Sequence, residues 1–286
     1  MNSIRRMGVA ELPPQLLEIP EPPEELYIEG EWPAPETLLL AVVGSRHYSS
    51  YGEEACGKLI AGLAGQPIAI VSGLAIGIDT LAHQAALRAG LPTIAFPGSG
   101  LDRSVLHPSS NKRLAEEIVT AGGALVSEFE PTYPAGLHTF PRRNRLMAGL
   151  CRAVLIIEAA EKSGTLITAR LALDYNRDVL AVPGSIFAIN SQGSNRLIRQ
   201  GATPVTGSDD ILEALGLARA GEQLALNLDD CTPLERQVIE LLQIEALPRD
   251  EIIMRLELSA SEANSLLGVM EIKGLIKEQL GEMSLA

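Results

Sequence analysis

Seven apolar runs of strand length alternate with amphipathic helical stretches through the middle of the chain, and no other feature restricts the fold as strongly. The runs are residues 38–43, 68–71, 93–96, 124–126, 153–157, 179–182 and 203–205. They are continuously apolar, as strands are when both faces of their sheet are covered. Strand and helix in regular succession build a parallel sheet with helices on both sides, because each return to a parallel neighbour needs a crossover. The expected architecture is therefore a doubly wound α/β domain with a mostly parallel sheet. Ligands of such sheets settle at the carboxyl ends of the strands, where glycine-rich turns lead into helix N-termini.

The flanking segments read differently. Residues 1–37 are rich in Pro and Glu and hold no sustained period, so they are expected to form an extended arm that joins the α/β domain, 38–220, near Leu38. Residues 221–230 look like a linker. From 231 to 286 the apolar period gives helices at 232–242, 249–256 and 261–273, the first with Thr232 as N-cap and Pro233 at the opening helical position. Two short strands, 275–279 and 283–285, follow around a glycine turn, and the order is that of a small winged-helix domain.

A net charge of −13 argues at first against nucleic acid, whose non-specific affinity comes from cations meeting phosphate. The distribution weakens that argument. Residues 38–217 hold fifteen basic and fifteen acidic groups, so the whole acidic excess lies in the two ends. Any anion site belongs in the middle. The winged-helix segment has ten acidic residues against five basic ones, the wrong sign for docking on DNA, and protein contact suits it better. Its stripe of Leu266, Leu267, Val269 and Met270 reads first as core. No run reaches the roughly 18 apolar residues of a membrane span. The N-terminus is polar and proline-rich where a signal peptide needs an apolar stretch, so no membrane partner is expected and the cytoplasm is the expected compartment.

Within the neutral middle, Phe140-Pro141-Arg142-Arg143-Asn144-Arg145 concentrates three guanidinium groups and an amide in six residues. Arginine offers a rigid fork of donors matched to phosphate oxygens and stacks on nucleobases. A solvated helix face, or neutralisation by nearby carboxylates, is the ordinary fate of such a run. The strand-end loops bear on the choice. Gly44-Ser45-Arg46 follows the first run, Ser72-Gly73 with Gly77-Ile78-Asp79 the second, and Pro97-Gly98-Ser99-Gly100, Ser163-Gly164-Thr165 and Pro183-Gly184-Ser185 close later ones. A trough floored by backbone amides, with Arg46, Lys112 and the arginine cluster around it, suits a chain of phosphates and stacked bases better than one small ligand.

No catalytic constellation is evident. The chain lacks GxGxxG, GxxxxGK[ST], HExxH and GxSxG, so neither a nicotinamide cofactor nor an ATP engine is expected. His83 reads as a helix-face residue that packs or bonds to Asp79, and Glu128 and Glu158 as strand-end partners for arginine. Cys56, Cys151 and Cys231 show no ligand spacing, so no metal site or disulfide is expected. Nucleoside-monophosphate phosphoribohydrolases, Rossmann-like hydrolases with a PGGxGT loop, are the alternative class; here that loop reads Pro97-Gly98-Ser99-Gly100-Leu101-Asp102.

Taken in order, Gly44-Ser45-Arg46, Val71-Ser72-Gly73, Gly77 to His83, Gly98 to Asp102, Ser127-Glu128, Phe140 to Arg145, Glu158 with Ser163 to Leu166, and Val182-Pro183-Gly184 resemble the DNA-processing protein A family, also called Smf. The likeness runs from about Leu16 to the C-terminus. It implies an extended Rossmann-like domain that binds single-stranded DNA, forms a homodimer, loads RecA onto incoming DNA during natural transformation, and is not an enzyme. The DNA-binding residues it implies are Gly44, Ser45, Arg46, Ser72, Gly73, Phe140, Arg143, Asn144 and Arg145, with Lys112 near the rim. The chain departs from the family pattern in lacking a helical SAM-like domain at its start, and in having His107 before Pro108 where Tyr is usual.

Overall fold

The structure, a computed structural model, describes residues 3–217, 232–242, 247–256, 258–273, 275–279 and 281–285. The chain divides into two compact units, Met1–Ala218 and Arg219–Ala286.

The first unit is built on a nine-stranded sheet: β1 (Arg5–Gly8), β2 (Glu25–Gly30), β3 (Leu38–Val43), β4 (Ile68–Ser72), β5 (Thr93–Ala95), β6 (Ala124–Ser127), β7 (Ala153–Ile156), β8 (Asp178–Ala181) and β9 (Thr203–Pro204), in the spatial order β1-β2-β6-β5-β4-β3-β7-β8-β9. All pairs from β6 to β9 are parallel. The helices are α1 (Pro14–Leu17), α2 (Ser50–Ala61), α3 (Ile78–Arg88), α4 (Lys112–Thr120), α5 (Thr139–Leu150), α6 (Thr165–Asp174), α7 (Gln192–Arg199) and α8 (Ser208–Ala214). Successive strand residues face opposite cores. Ala41, Val43, Val154 and Ile156 pack with α5 and α6, whereas Leu40, Val42, Ala153 and Leu155 pack with α2 and α3. Burial on both faces is why these runs are continuously apolar.

The chain steps outward from β3 through β4 and β5 to β6, then crosses back along α5 to β7 on the other side of β3. The loops after β3 and β7 thus part in opposite directions, which opens a crevice at the carboxyl edge. The expected doubly wound, mostly parallel sheet is the observed one.

The N-terminal segment is not an extended arm. β1 pairs antiparallel with β2, and β2 antiparallel with β6, so this segment widens the sheet. Leu16, Ile19, Leu26 and Ile28 are buried in the core shared with α5. The prolines around α1 interrupt any period, and only tertiary contact reveals that the segment is structural.

The second unit holds α9 (Pro233–Leu242), α10 (Arg249–Arg255) and α11 (Ala260–Ile272) with a three-stranded sheet of β10 (Leu247–Pro248), β11 (Ile276–Gln279) and β12 (Glu282–Leu285) in the order β10-β12-β11. Val238, Ile252, Leu267, Met270 and Met283 form its core. Of the apolar stripe on α11, Leu267 and Met270 are buried and Val269 is exposed. Arg249 pairs with Glu271 at 3.2 Å and Glu278 at 3.3 Å, and Lys273 with Glu235 at 2.7 Å. The expected linker, 221–230, lies outside the described residues.

Candidate functional site

A cavity of about 570 Å³ opens at the crevice between the loops after β3 and β7, with the first turns of α5 as its third wall. The β3 loop is shaped by close approaches. A Cβ on Gly44 would lie 2.6 Å from Ile78 Cγ1, and one on Gly77, whose φ is +90°, 2.4 Å from the Ser45 carbonyl oxygen, so α3 can rise against this loop only beneath glycines. The Ser45 hydroxyl donates to the His47 carbonyl at 2.8 Å and accepts from the His47 amide at 3.0 Å. That local turn leaves Arg46 exposed, and among the described residues no carboxylate lies within ion-pair distance of it. The Arg46 guanidinium carbon sits 5.6 Å from the centre of the Phe140 ring.

Phe140 is held at the start of α5. The Thr139 hydroxyl donates to the Gly98 carbonyl at 2.6 Å, and a Cβ on Gly98 would lie 2.4 Å from the Phe140 ring. His107, the departure from the family pattern, places its ring 5.7 Å from Phe140. Along α5 the helical period separates the arginines. Phe140, Arg143, Asn144 and Met147, at i, i+3, i+4 and i+7, all line the cavity. Arg142 and Arg145, three apart on the neighbouring face, both pair with Glu128, the first at 3.3 Å.

Arg143 is buried at the cavity floor. Its Nη1 donates to the carbonyls of Gly73 and Phe96, at the ends of β4 and β5, and its Nε donates to Asn144 Oδ1 at 2.9 Å. Among the described residues no acceptor takes Nη2. Burial lowers the guanidinium to about 10, opposed by the attraction of Asp79, so it stays charged at neutral pH. Asp79 is itself buried and accepts the Gly73 amide at 3.1 Å; burial raises its carboxyl, and Arg143 pulls the other way. On the far wall, Thr165 at the start of α6 donates from its hydroxyl to the Gly44 carbonyl at 3.0 Å, and the exposed Lys162 stands beside it without an ion pair among the described residues.

Of the residues expected from the sequence, Gly44, Ser45, Arg46, Phe140, Arg143 and Asn144 line one cavity. Gly73 lies directly beneath it, where a Cβ would come within 2.2 Å of Arg143 Nη1. The other three are elsewhere. Ser72 is fully buried, its hydroxyl spent on the Val42 carbonyl at 2.6 Å. Lys112 is half-buried at the head of α4, outside the cavity. Arg145 is buried against Glu128 and the Glu21 carbonyl, on the N-terminal segment, and does not line the cavity. Lys162 was not foreseen. Its signal is its place next to the Ser163-Gly164-Thr165 loop after β7.

Glu158, His83 and two of the cysteines lie within the fold. Glu158 accepts the Ser49 amide at 2.9 Å and its hydroxyl at 2.5 Å, tying β7 to the N-cap of α2, so its partner is serine where arginine was expected. His83 bonds through Nδ1 to Thr93 Oγ1 at 2.7 Å, not to Asp79, and burial lowers it to about 3. Cys56 and Cys151 are free and buried, the first raised to about 12 by desolvation; Cys231 lies outside the described residues. Among the described residues no group of His, Cys, Asp and Glu could hold a metal ion, and no helix is long and apolar enough to cross a membrane.

Comparison with known proteins agrees with this architecture. Residues 4–216 match the family model of DNA recombination-mediator protein A, and residues 222–282 that of the DprA winged helix domain. The chain is 47% identical over 203 residues to Protein Smf of Escherichia coli (strain K12), an alignment covering 71% of this chain but only about half, 54%, of that protein. It is 45% identical over 201 residues to DNA processing protein DprA of Streptococcus pneumoniae (strain ATCC BAA-255 / R6), covering 70% of each. The X-ray structure of DNA processing protein A from Streptococcus pneumoniae superposes with a TM-score of 0.69 at 41% identity over 73% of this chain and 74% of that one. DNA processing protein A from Helicobacter pylori, a structure described for its single-stranded DNA binding mode, superposes with a TM-score of 0.65 at 28% identity over 75% of this chain and 98% of that one. On the match over both units, this chain belongs to the DNA recombination-mediator protein A family.

Proposed function

We propose that this chain binds single-stranded DNA in the cavity at the carboxyl edge and, acting as a cytoplasmic homodimer, loads RecA onto that DNA during natural transformation. The observation that carries the DNA reading is the exposed Arg46, without an ion pair among the described residues, set over the Phe140 ring and lining one cavity with Arg143 and Asn144. Arg46, Arg143 and Lys162 supply donors for successive phosphate oxygens, and the Phe140 ring supplies a face for a base. A base still paired in a duplex cannot present its face to that ring. The family match and the Helicobacter pylori relative support the reading.

The role proposed is binding without catalysis. Glu158 is committed to Ser49 and Glu128 to two arginines, and neither lines the cavity. The acidic winged helix, with Arg249 and Lys273 engaged by carboxylates, suits a protein partner better than DNA. A mobility shift with oligo-dT against duplex, repeated with RecA present, tests the proposal. Retention of oligo-dT, weak competition by duplex and faster RecA filament growth are expected. Failure to retain oligo-dT would overturn it, and release of free base from AMP would favour the hydrolase class.

A further inference from the structure

The exposed aromatic rings all point to one edge of the sheet. Tyr48, Tyr51, Tyr133 and Phe187 are the aromatic residues most open to water, and every one lies in a segment following the carboxyl end of β3, β6 or β8. Phe140, the stacking ring of the cavity, also follows β6. Rings left facing water on a single edge mark a surface that something covers.

The rings at the β3 and β8 end belong to a fixed surface. The Tyr51 hydroxyl donates to the Pro183 carbonyl at 2.7 Å, and the Asn190 amide donates to the His47 carbonyl at 2.7 Å. These two bonds fasten the segment after β8 to the loop that carries Arg46. Within that segment the Phe187 amide donates to Ser185 Oγ at 3.3 Å and the Ala188 amide to the Ser185 carbonyl at 3.0 Å, a tight turn that holds Phe187 outward at 91% exposure. At the other end the Tyr133 hydroxyl bonds to His138 Nε2 at 3.1 Å and its ring stacks on Phe129 with centres 5.0 Å apart. A turn fixed before binding loses little backbone entropy when a base stacks on the ring it presents.

We infer that the DNA strand does not end at the Arg46–Phe140 cavity but continues along the carboxyl edge over β7 to β8, where Phe187 is a second base-stacking platform. This inference rests on the single-strand reading of the cavity. Neither Arg46, at the first ring site, nor Lys162, on the loop after β7 between the cavity and β8, has an ion pair among the described residues. They give the backbone a cationic path from one platform to the next. From β3, whose loop carries Arg46, to β8 the sheet order contains two inter-strand steps, roughly 10 Å at about 4.8 Å each. That adds about three nucleotides, at the rise of about 3.4 Å per nucleotide in a duplex strand, to those held in the cavity, and the sum falls within the site sizes of single-strand binders.

The test compares oligo-dT of about four and about twelve nucleotides by fluorescence anisotropy, short enough to fill the cavity alone and long enough to reach β8. Phe187→Ala is expected to weaken the longer oligonucleotide about fivefold or more and leave the shorter one unchanged, with Phe187→Trp restoring affinity. A 2-aminopurine placed along the longer strand should lose its quenching at one position in Phe187→Ala only. Equal affinity of Phe187→Ala and the parent for the longer strand overturns the inference, as does an equal loss for both lengths. A fall in molar mass by light scattering also overturns it, because Phe187 would then meet a second copy of this chain. If Arg46→Ala binds both lengths normally, it is the cavity reading that has failed.

Discussion

Arg46 and Phe140, one from the turn after β3 and the other from the first turn of the α5 crossover, meet with the guanidinium carbon 5.6 Å from the ring centre. Neither residue indicates the other in the sequence. They meet because the chain reverses its direction of travel across the sheet between β6 and β7, which brings α5 over the loop after β3. A cation held on an open ring, facing donors across a cavity, has the geometry for a phosphate with its base alongside.

Arg46 is exposed and forms no ion pair among the described residues, so Arg46→Ala is expected to leave thermal stability unchanged. It should weaken binding of single-stranded oligonucleotides of any sequence and lower the log-log salt slope by roughly 0.7, the loss of one phosphate contact on a single strand. Anisotropy titrations across a salt series measure both quantities.

Phe140→Leu keeps apolar volume above Gly98 but removes the flat face. The expected loss is about 1–3 kcal/mol in binding, without a matching loss in stability. Isothermal titration with oligo-dT and thermal melting of the same preparation separate the two effects.

Arg145→Ala should act on the fold. It leaves the Glu128 carboxylate buried without its principal partner and frees the Glu21 carbonyl that anchors the N-terminal segment. Breaking one side of a buried pair costs about 3 kcal/mol or more. Urea denaturation should show the loss, while the protein that remains folded should bind oligo-dT with the parent slope. A normal melt with weakened binding would restore Arg145 to the site.

Gly73→Ala probes the floor of the cavity. The added methyl would come within 2.2 Å of Arg143 Nη1 and 2.5 Å of Asp79 Oδ2, so Arg143 must leave its two carbonyl acceptors. Both stability and oligo-dT affinity are expected to fall, and a melt alongside the titration reports each.

His83 sets a pH dependence. Burial lowers its folded-state pKa from 6.5 to about 3, so between those values the unfolded chain binds a proton that the folded chain refuses. Its contribution is complete above pH 6.5 and declines as pH falls toward 3. At about 1.4 kcal/mol per pH unit, the loss at pH 5 is about 2 kcal/mol. Urea melts of the parent and of His83→Gln should differ in their pH slope over that window.

The sequence by itself determined the central sheet, because strands buried on both faces must be apolar throughout and that demand shows as unbroken runs. It also marked the glycine turns at the strand ends, since close backbone approach permits no side chain at Gly44 or Gly77. Strands β1 and β2 were not legible: they are short, antiparallel and separated by a proline-rich segment, and their burial depends on pairing with β6 and packing on α5. The sequence also showed three arginines within four residues without showing where they point. A helix turns about 100° per residue, so neighbours in the chain face different surroundings. Only the tertiary structure placed Gly73 and Phe96 carbonyls beneath Arg143 and Glu128 beside Arg145. Local pattern carries period and burial, whereas the partner of a charge depends on which strand ends the sheet order brings together.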